Sequence, residues 1–403
     1  MKMKKVWGFA MGLAIALMST VLVTTAQDTP ADPCADIDAA TALYQTFVDN
    51  YNKKPLTVAD REKAVKAGKE FLEKYGNCEA WKDQSNFVKP WVPKLEDWLV
   101  KARLDEKLRP LYKKFDDGVQ QKKWDDVFAA GKEIYALIPD KSLDQMIPMA
   151  LIGVIEVGNK NNAYADESIK WAKLALEKIN AGVESLNKSY GVYQLAVGNK
   201  ENAISELNYA LGVLYFYGKA DRETGIKYFY QVTQLPGSKQ EYSPLYVSIA
   251  DYYRLTADKL GTEIINLINQ QKAAATDEEK LKLDEQIKPK VGLYNGYLER
   301  ALDALSRAVK FAKDNTPQAK AYKDSIYKDY LALYKRRFEK EEGADQWMAT
   351  AVSKPLPDPT SQVQPVFDPE PTTTTTTTST SVTKPSSSSS KTAKNLTSGN
   401  TAV

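Results

Sequence analysis

Histidine is absent from the 403-residue chain. That removes Ser-His-Asp and Cys-His catalysis, histidine metal ligation and histidine pH switching. Two cysteines cannot build a four-cysteine zinc site or hold an iron–sulfur cluster. Net charge is nearly absent too: 55 basic residues face 52 acidic ones, and the two signs are interspersed. A nucleic-acid footprint is therefore not expected. The densest basic cluster, Lys335-Arg336-Arg337, reads as a solvated helix face. No stretch alternates β-branched and polar residues as a half-buried strand would. No apolar run beyond the first 26 residues is long enough to span a bilayer.

Catalytic carboxylate pairs are the remaining enzymatic candidates. Asp116-Asp117 and Asp125-Asp126 are adjacent pairs, and adjacent residues on a helix diverge by about 100°. They do not converge on one substrate atom. Asn159 to Glu167 lacks the acidic ladder and central glycine of a calcium loop. No glycine-rich phosphate loop occurs. The expectation is a non-enzymatic protein with no cofactor and no metal.

The first 26 residues read as a signal peptide. Lys2, Lys4 and Lys5 precede an apolar run from Val6 to about Val23, and Thr24-Thr25-Ala26 offers a small-residue cleavage site. The run approaches spanning length, but a polar, proline-containing segment follows at once. The expected product is secreted, periplasmic or held at the cell surface, with no membrane span once the signal is removed. In an oxidising compartment Cys34 and Cys78 read as one disulfide, with two free thiols as the competing reading. The bridge would close a loop of about 44 residues, worth roughly 4 kcal/mol on a chain-entropy model.

Helical periodicity dominates what remains. Residues 36–52 and 60–75 form the expected N-terminal hairpin, with Ala64, Val65, Gly68, Phe71 and Leu72 on one face. Trp81, Trp91 and Trp98 follow, interrupted by Pro90 and Pro93. They read as packing between the first hairpins, or else as a platform for a sugar ring. From residue 94 the pattern predicts helices at 94–118, 122–138, 142–157, 163–180, 183–197, 201–217, 221–235, 242–272, 276–287, 291–314 and 317–341. The breaks carry glycine, proline or asparagine. The polar stretch 268–290 reads as a projecting helical extension.

One phrase occurs twice. Val157-Gly158-Asn159-Lys160-Asn161-Asn162-Ala163 recurs 40 residues later as Val197-Gly198-Asn199-Lys200-Glu201-Asn202-Ala203. Each copy is expected to end one helix with a left-handed Gly-Asn cap and open the next. Leu211-Gly212-x2-Tyr215 followed by Gly225-x3-Phe229-x2-Val232 and Pro236 resembles the tetratricopeptide repeat. Trp171-Ala172-x2-Ala175-Leu176 and Ala301-x3-Leu305-x2-Ala308 resemble second helices of further units. The early tryptophan of the motif is missing, and Gly225 stands where alanine is usual. The resemblance implies an all-α fold, a right-handed α-solenoid of antiparallel helical hairpins. Small residues would let paired helices approach while large ones fill the groove between them.

The expected organisation is a signal peptide at 1–26, a disulfide-bearing helical region at 27–93, a tetratricopeptide-like solenoid at 94–341, a proline-rich linker at 342–371 and a disordered Thr/Ser-rich tail at 372–403. The tail has almost nothing apolar to offset the entropy of folding. Thr372, Thr373, Thr374, Thr375, Thr376, Thr377, Thr378, Ser379 and Thr380 are candidate O-glycosylation sites in an exported stalk; a plain unmodified tail is the alternative. Asn187-Lys188-Ser189 and Asn395-Leu396-Thr397 match the short N-glycosylation pattern.

A solenoid has two open ends. The last predicted helix carries Tyr322, Ile326, Tyr327, Tyr330, Leu331 and Tyr334, which is too apolar for an exposed cap. Either the following chain covers it or another subunit does. Tyr322, Tyr327, Tyr330 and Tyr334 are accordingly the candidate self-association residues. The expected partner is protein, including further copies assembled head to tail into a glycan-coated filament or surface layer. A cell-surface carbohydrate-binding protein using exposed tryptophan and tyrosine is the alternative.

Overall fold

The computed structural model describes residues 32–368. The expected signal peptide and the Thr/Ser-rich tail lie outside them. Among the described residues the fold is all-α, with no strand. Two compact units divide at Glu106/Lys107.

In the first unit α1 (Ile37–Asn52) packs on α2 (Val58–Tyr75), followed by the start of α3 (Lys82–Gln121). Thr57 caps α2 by accepting from Asp60 N at 3.1 Å. The face read from the sequence is the buried one: Ala64, Val65 and Phe71 lie in a core with Phe47, Val88 and Val92. Gly68 is required there, because a Cβ would stand 2.8 Å from both Phe47 and Val92. Cys34 and Cys78 are paired, their Cα atoms 5.6 Å apart. Helix α3 runs unbroken through Pro90 and Pro93, where the sequence suggested an interruption. Both prolines face solvent, so the carbonyls they leave unbonded meet water. The opposite face buries Val88, Val92, Leu95 and Leu99.

The second unit continues with α4 (Trp124–Leu137), α5 (Leu143–Gly158), α6 (Ala165–Asn180), α7 (Lys200–Val213), α8 (Arg222–Gln234), α9 (Ser243–Ala273), α10 (Asp277–Phe311), α11 (Pro317–Phe338) and α12 (Ala344–Val352). Each helix from α4 to α10 packs on the one that follows it, whatever the length of the loop between them. Helices α9 and α10 form the longest hairpin, closed by a capping box between Thr276 and Glu279. Pro289 sits inside α10 on its solvent side and does not end the helix.

The pairing of α7 and α8 turns on two glycines. A Cβ on Gly212 would stand 2.4 Å from the Phe229 ring, and one on Gly225 would meet the Phe216 backbone at 2.7 Å. A π-helical turn, Leu214–Gly218, carries the end of α7 into this contact. Small residues thus admit large ones across the hairpin.

The helix expected at 183–197 is not formed. Residues 181–199 make an irregular loop with one short 3₁₀ turn at Tyr193–Leu195. Lys188, Tyr190, Gly191 and Tyr193 all take left-handed φ. The cause lies on α5. Asp144 is buried, and its carboxylate accepts from Ser185 Oγ at 2.6 Å, Leu186 N at 3.1 Å, Gly191 N at 3.2 Å and Asn187 N at 3.4 Å. One acidic side chain replaces the helical hydrogen bonds those amides would otherwise make.

The repeated phrase is therefore used in two ways. In the first copy Gly158 and Asn159 are not left-handed; Lys160 is, with φ 63°. Asn159 and Asn161 donate to Glu156, which also accepts from Trp124 Nε1 at 2.9 Å. In the second copy Gly198 is left-handed and Asn199 caps α7, accepting from Asn202 N at 2.8 Å. Asn202 then reaches Val197 O and accepts from Ser238 N.

The stretch 342–371, read as linker, is ordered over most of its length. Helix α12 packs on α10, and residues 353–368 run on as an extended strap. Val363 is buried in the main core, and Val366 N donates to Gly292 O at 2.9 Å. Gly292 and Gly296 clear the groove for this strap, since Cβ atoms there would strike Phe367 at 2.6 Å and Gln364 O at 2.4 Å.

Candidate functional site

The C-terminal tyrosine helix is where the sequence placed self-association. The four candidates separate into two kinds. Tyr330 and Tyr334 are buried. Tyr330 Oη donates to Ala344 O at 2.5 Å, and Tyr334 Oη to Glu342 O at 3.3 Å. Tyr327 Oη donates to Asp345 Oδ1 at 2.8 Å. The chain's own α12 is thus the cover that this apolar helix needs. Tyr322 alone of the four remains well exposed, at 40%.

Tyr322 does not stand alone. Its hydroxyl lies 3.5 Å from Ser243 Oγ at the start of α9, next to Tyr242, which is 36% exposed. Tyr242 meets Tyr209 edge-on, with ring centroids 5.5 Å apart. The Lys239 ammonium sits 4.0 Å from the Tyr242 ring centre and 5.1 Å from that of Tyr209. Glu206 pairs with the same ammonium at 3.3 Å. Burial pushes the pKa of all three phenols up, most strongly at Tyr209. They stay neutral, hydrogen-bonding groups. Flat apolar area with a polar tip is what tyrosine offers to a protein contact. Sequence reasoning missed Tyr209 and Tyr242. They are 33 positions apart and come from α7 and the loop before α9, so no linear period joins them.

The other candidates disperse. Among the adjacent carboxylates, Asp117 pairs with Lys113 at 2.6 Å and Asp126 with Lys114 at 3.3 Å. Asp125 accepts from Tyr164 Oη at 3.0 Å. Burial raises the pKa of Asp116, opposed by a hydrogen bond from Tyr193. Glu167 is taken by Lys132 and Trp171. No group of metal-ligating side chains occurs among the described residues. Trp81, Trp91 and Trp98 pack against the core of the first unit rather than standing free as a platform. The basic cluster is not a solvated face throughout. Arg337 is buried between Glu299 and Asp368, at 2.8 and 2.9 Å, and Arg336 joins Asp258 at 2.7 Å and Tyr294 Oη at 2.7 Å. Asn187 lies exposed in the loop organised by Asp144, its Oδ1 accepting from Ser189 N at 2.9 Å.

No helix of the described residues is long and apolar enough to cross a membrane. The chain matches no protein-family model, and no curated protein or solved structure is significantly similar to it.

Proposed function

We propose that the chain is an exported, non-enzymatic scaffold that binds protein, and that its partner is a second copy of itself. Its repeats stack as a right-handed α-solenoid of tetratricopeptide type, and copies join head to tail into a filament or surface layer. The Thr/Ser tail from Thr372 to Thr380 carries O-linked glycans that coat the assembly. The support for export is the positive, apolar N-terminal segment and the Cys34–Cys78 pair.

The observation that carries the reading is the exposed tyrosine surface at Tyr242 and Tyr322, backed by Tyr209 and Lys239. The self-association contact is assigned to this face, because α12 already covers Tyr330 and Tyr334. Sedimentation velocity of the full chain tests it. The wild type should form concentration-dependent oligomers, and Tyr242→Glu with Tyr322→Glu should reduce them to monomer. Oligomers that persist in the double variant would reject this face.

A further inference from the structure

A cavity of about 580 Å³ lies between α10, α11, α12 and the strap. That is the size of a small-molecule site. Four charged residues line it: Glu299, Arg300, Asp303 and Lys354. Their pairing is uneven. Glu299 is bound by Arg337 at 2.8 Å, and Asp303 by Arg307 at 2.8 Å. Arg307 also donates to the carbonyls of Ala351 and Lys354, and Arg337 to Asp368. Each carboxylate of the lining is answered by an arginine of its own.

Arg300 is not answered. Its Nη2 is 3.5 Å from Ser361 Oγ, at the limit of a hydrogen bond. Its Nη1 is buried and makes none. Among the described residues no carboxylate pairs with it. The Tyr253 phenol and the Asp303 carboxylate are near enough to feel its charge, but burial pushes the phenol's pKa up, so it is neutral, and Asp303 is paired with Arg307. Lys354 adds a second positive group without an ion-pair partner among the described residues. A half-buried guanidinium without a carboxylate of its own can take one from the cavity through the N–H groups that remain accessible, Nη1 being sealed from it.

The rest of the lining is neutral. Trp347 supplies a flat apolar face, and Gln346, Thr350 and Gln364 supply amides and a hydroxyl. We propose that this cavity binds a small hydroxylated carboxylate of the sugar-acid class. Arg300 holds the carboxylate, Trp347 packs against the C–H face of the ring, and the glutamine amides meet hydroxyls. One carboxylate suffices, since Arg300 is the one arginine at the lining without a carboxylate partner among the described residues; a bare short-chain acid would leave the aromatic wall and the amides unused. This site is separate from the tyrosine surface and does not depend on self-association.

Isothermal titration calorimetry on the full mature chain at low salt tests it, with glucuronate, glucose and acetate as probes. Glucuronate should bind saturably, and glucose and acetate at least tenfold more weakly. Arg300→Gln should weaken glucuronate binding at least tenfold while leaving the melting curve two-state. Trp347→Leu should weaken glucuronate but not acetate, and serves alone if Arg300→Gln does not fold. The proposal is overturned by no saturable binding of glucuronate, by glucose or acetate binding equally well, or by either folded variant binding glucuronate as the wild type does.

Discussion

The Tyr330 hydroxyl donates to the Ala344 carbonyl at the first residue of α12, inside a site that excludes water. This bond joins the last long helix to the element that covers it. Tyr330→Phe keeps the ring and leaves the carbonyl without a donor, which costs about 1–2 kcal/mol. Denaturant unfolding should show that loss. Amide exchange across 344–352 should quicken in the same variant; unchanged exchange there would mean α12 is held by other contacts.

Two glycines should respond in opposite senses. Gly212→Ala forces a methyl against Phe229, where a Cβ would stand at 2.4 Å, and should cost about 1–3 kcal/mol. Gly158, the last residue of α5, has nothing within 4 Å of its Cβ position and no left-handed φ. Gly158→Ala should stabilise by about 0.4–1 kcal/mol through the unfolded chain. Equal effects at the two sites would contradict the packing described for α7 and α8.

Asp144→Ala removes the acceptor of three backbone amides and one hydroxyl in a buried site. The expected cost is about 3 kcal/mol or more. Trypsin should then cut at Lys188 in the loop much faster than in the wild type. A loop that stays resistant would show that Asp144 does not organise it.

Glu156 makes acid stability testable. The Trp124 indole hydrogen bond, helped by Asn161 and Asn159 and opposed by desolvation, holds its carboxyl below the usual value near 4.5. A lowered folded pKa means that the ionised form is favoured by folding. Its contribution is complete above the unfolded pKa and disappears as the pH falls through the folded one. Glu156→Gln should therefore lose less stability than the wild type between about pH 5 and about pH 3. Parallel curves for the two proteins would remove Glu156 as a contributor.

The periodic elements were legible in the sequence. The expectation of 163–180 became Ala165–Asn180, and 221–235 became Arg222–Gln234. The Ala64-Val65-Gly68-Phe71 face is the buried one. What failed was decided at a distance. Val183, Leu186, Tyr190, Tyr193 and Val197 repeat at helical spacing, yet Asp144, some 40 residues earlier, captures the amides of Leu186, Asn187 and Gly191 among them. Pro90, Pro93 and Pro289 read as breaks because a sequence does not show which side of a helix is wet. The prolines from Pro355 to Pro365 read as linker, although Gly292 and Gly296, some 70 positions earlier, shape a groove for that segment. The tyrosine stripe of α11 announced that something must cover it. Only the fold shows that α12 does so for Tyr330 and Tyr334, and that Tyr322 is left facing outward with Tyr242.

Electron microscopy of negatively stained native material, with its mass measured alongside, tests the central claim most directly. The account predicts uniform fibres or sheets of subunits heavier than the polypeptide alone, lost when Tyr242→Glu and Tyr322→Glu are combined. Discrete monomers at the mass of the bare processed chain would contradict both the self-assembly and the glycan coat.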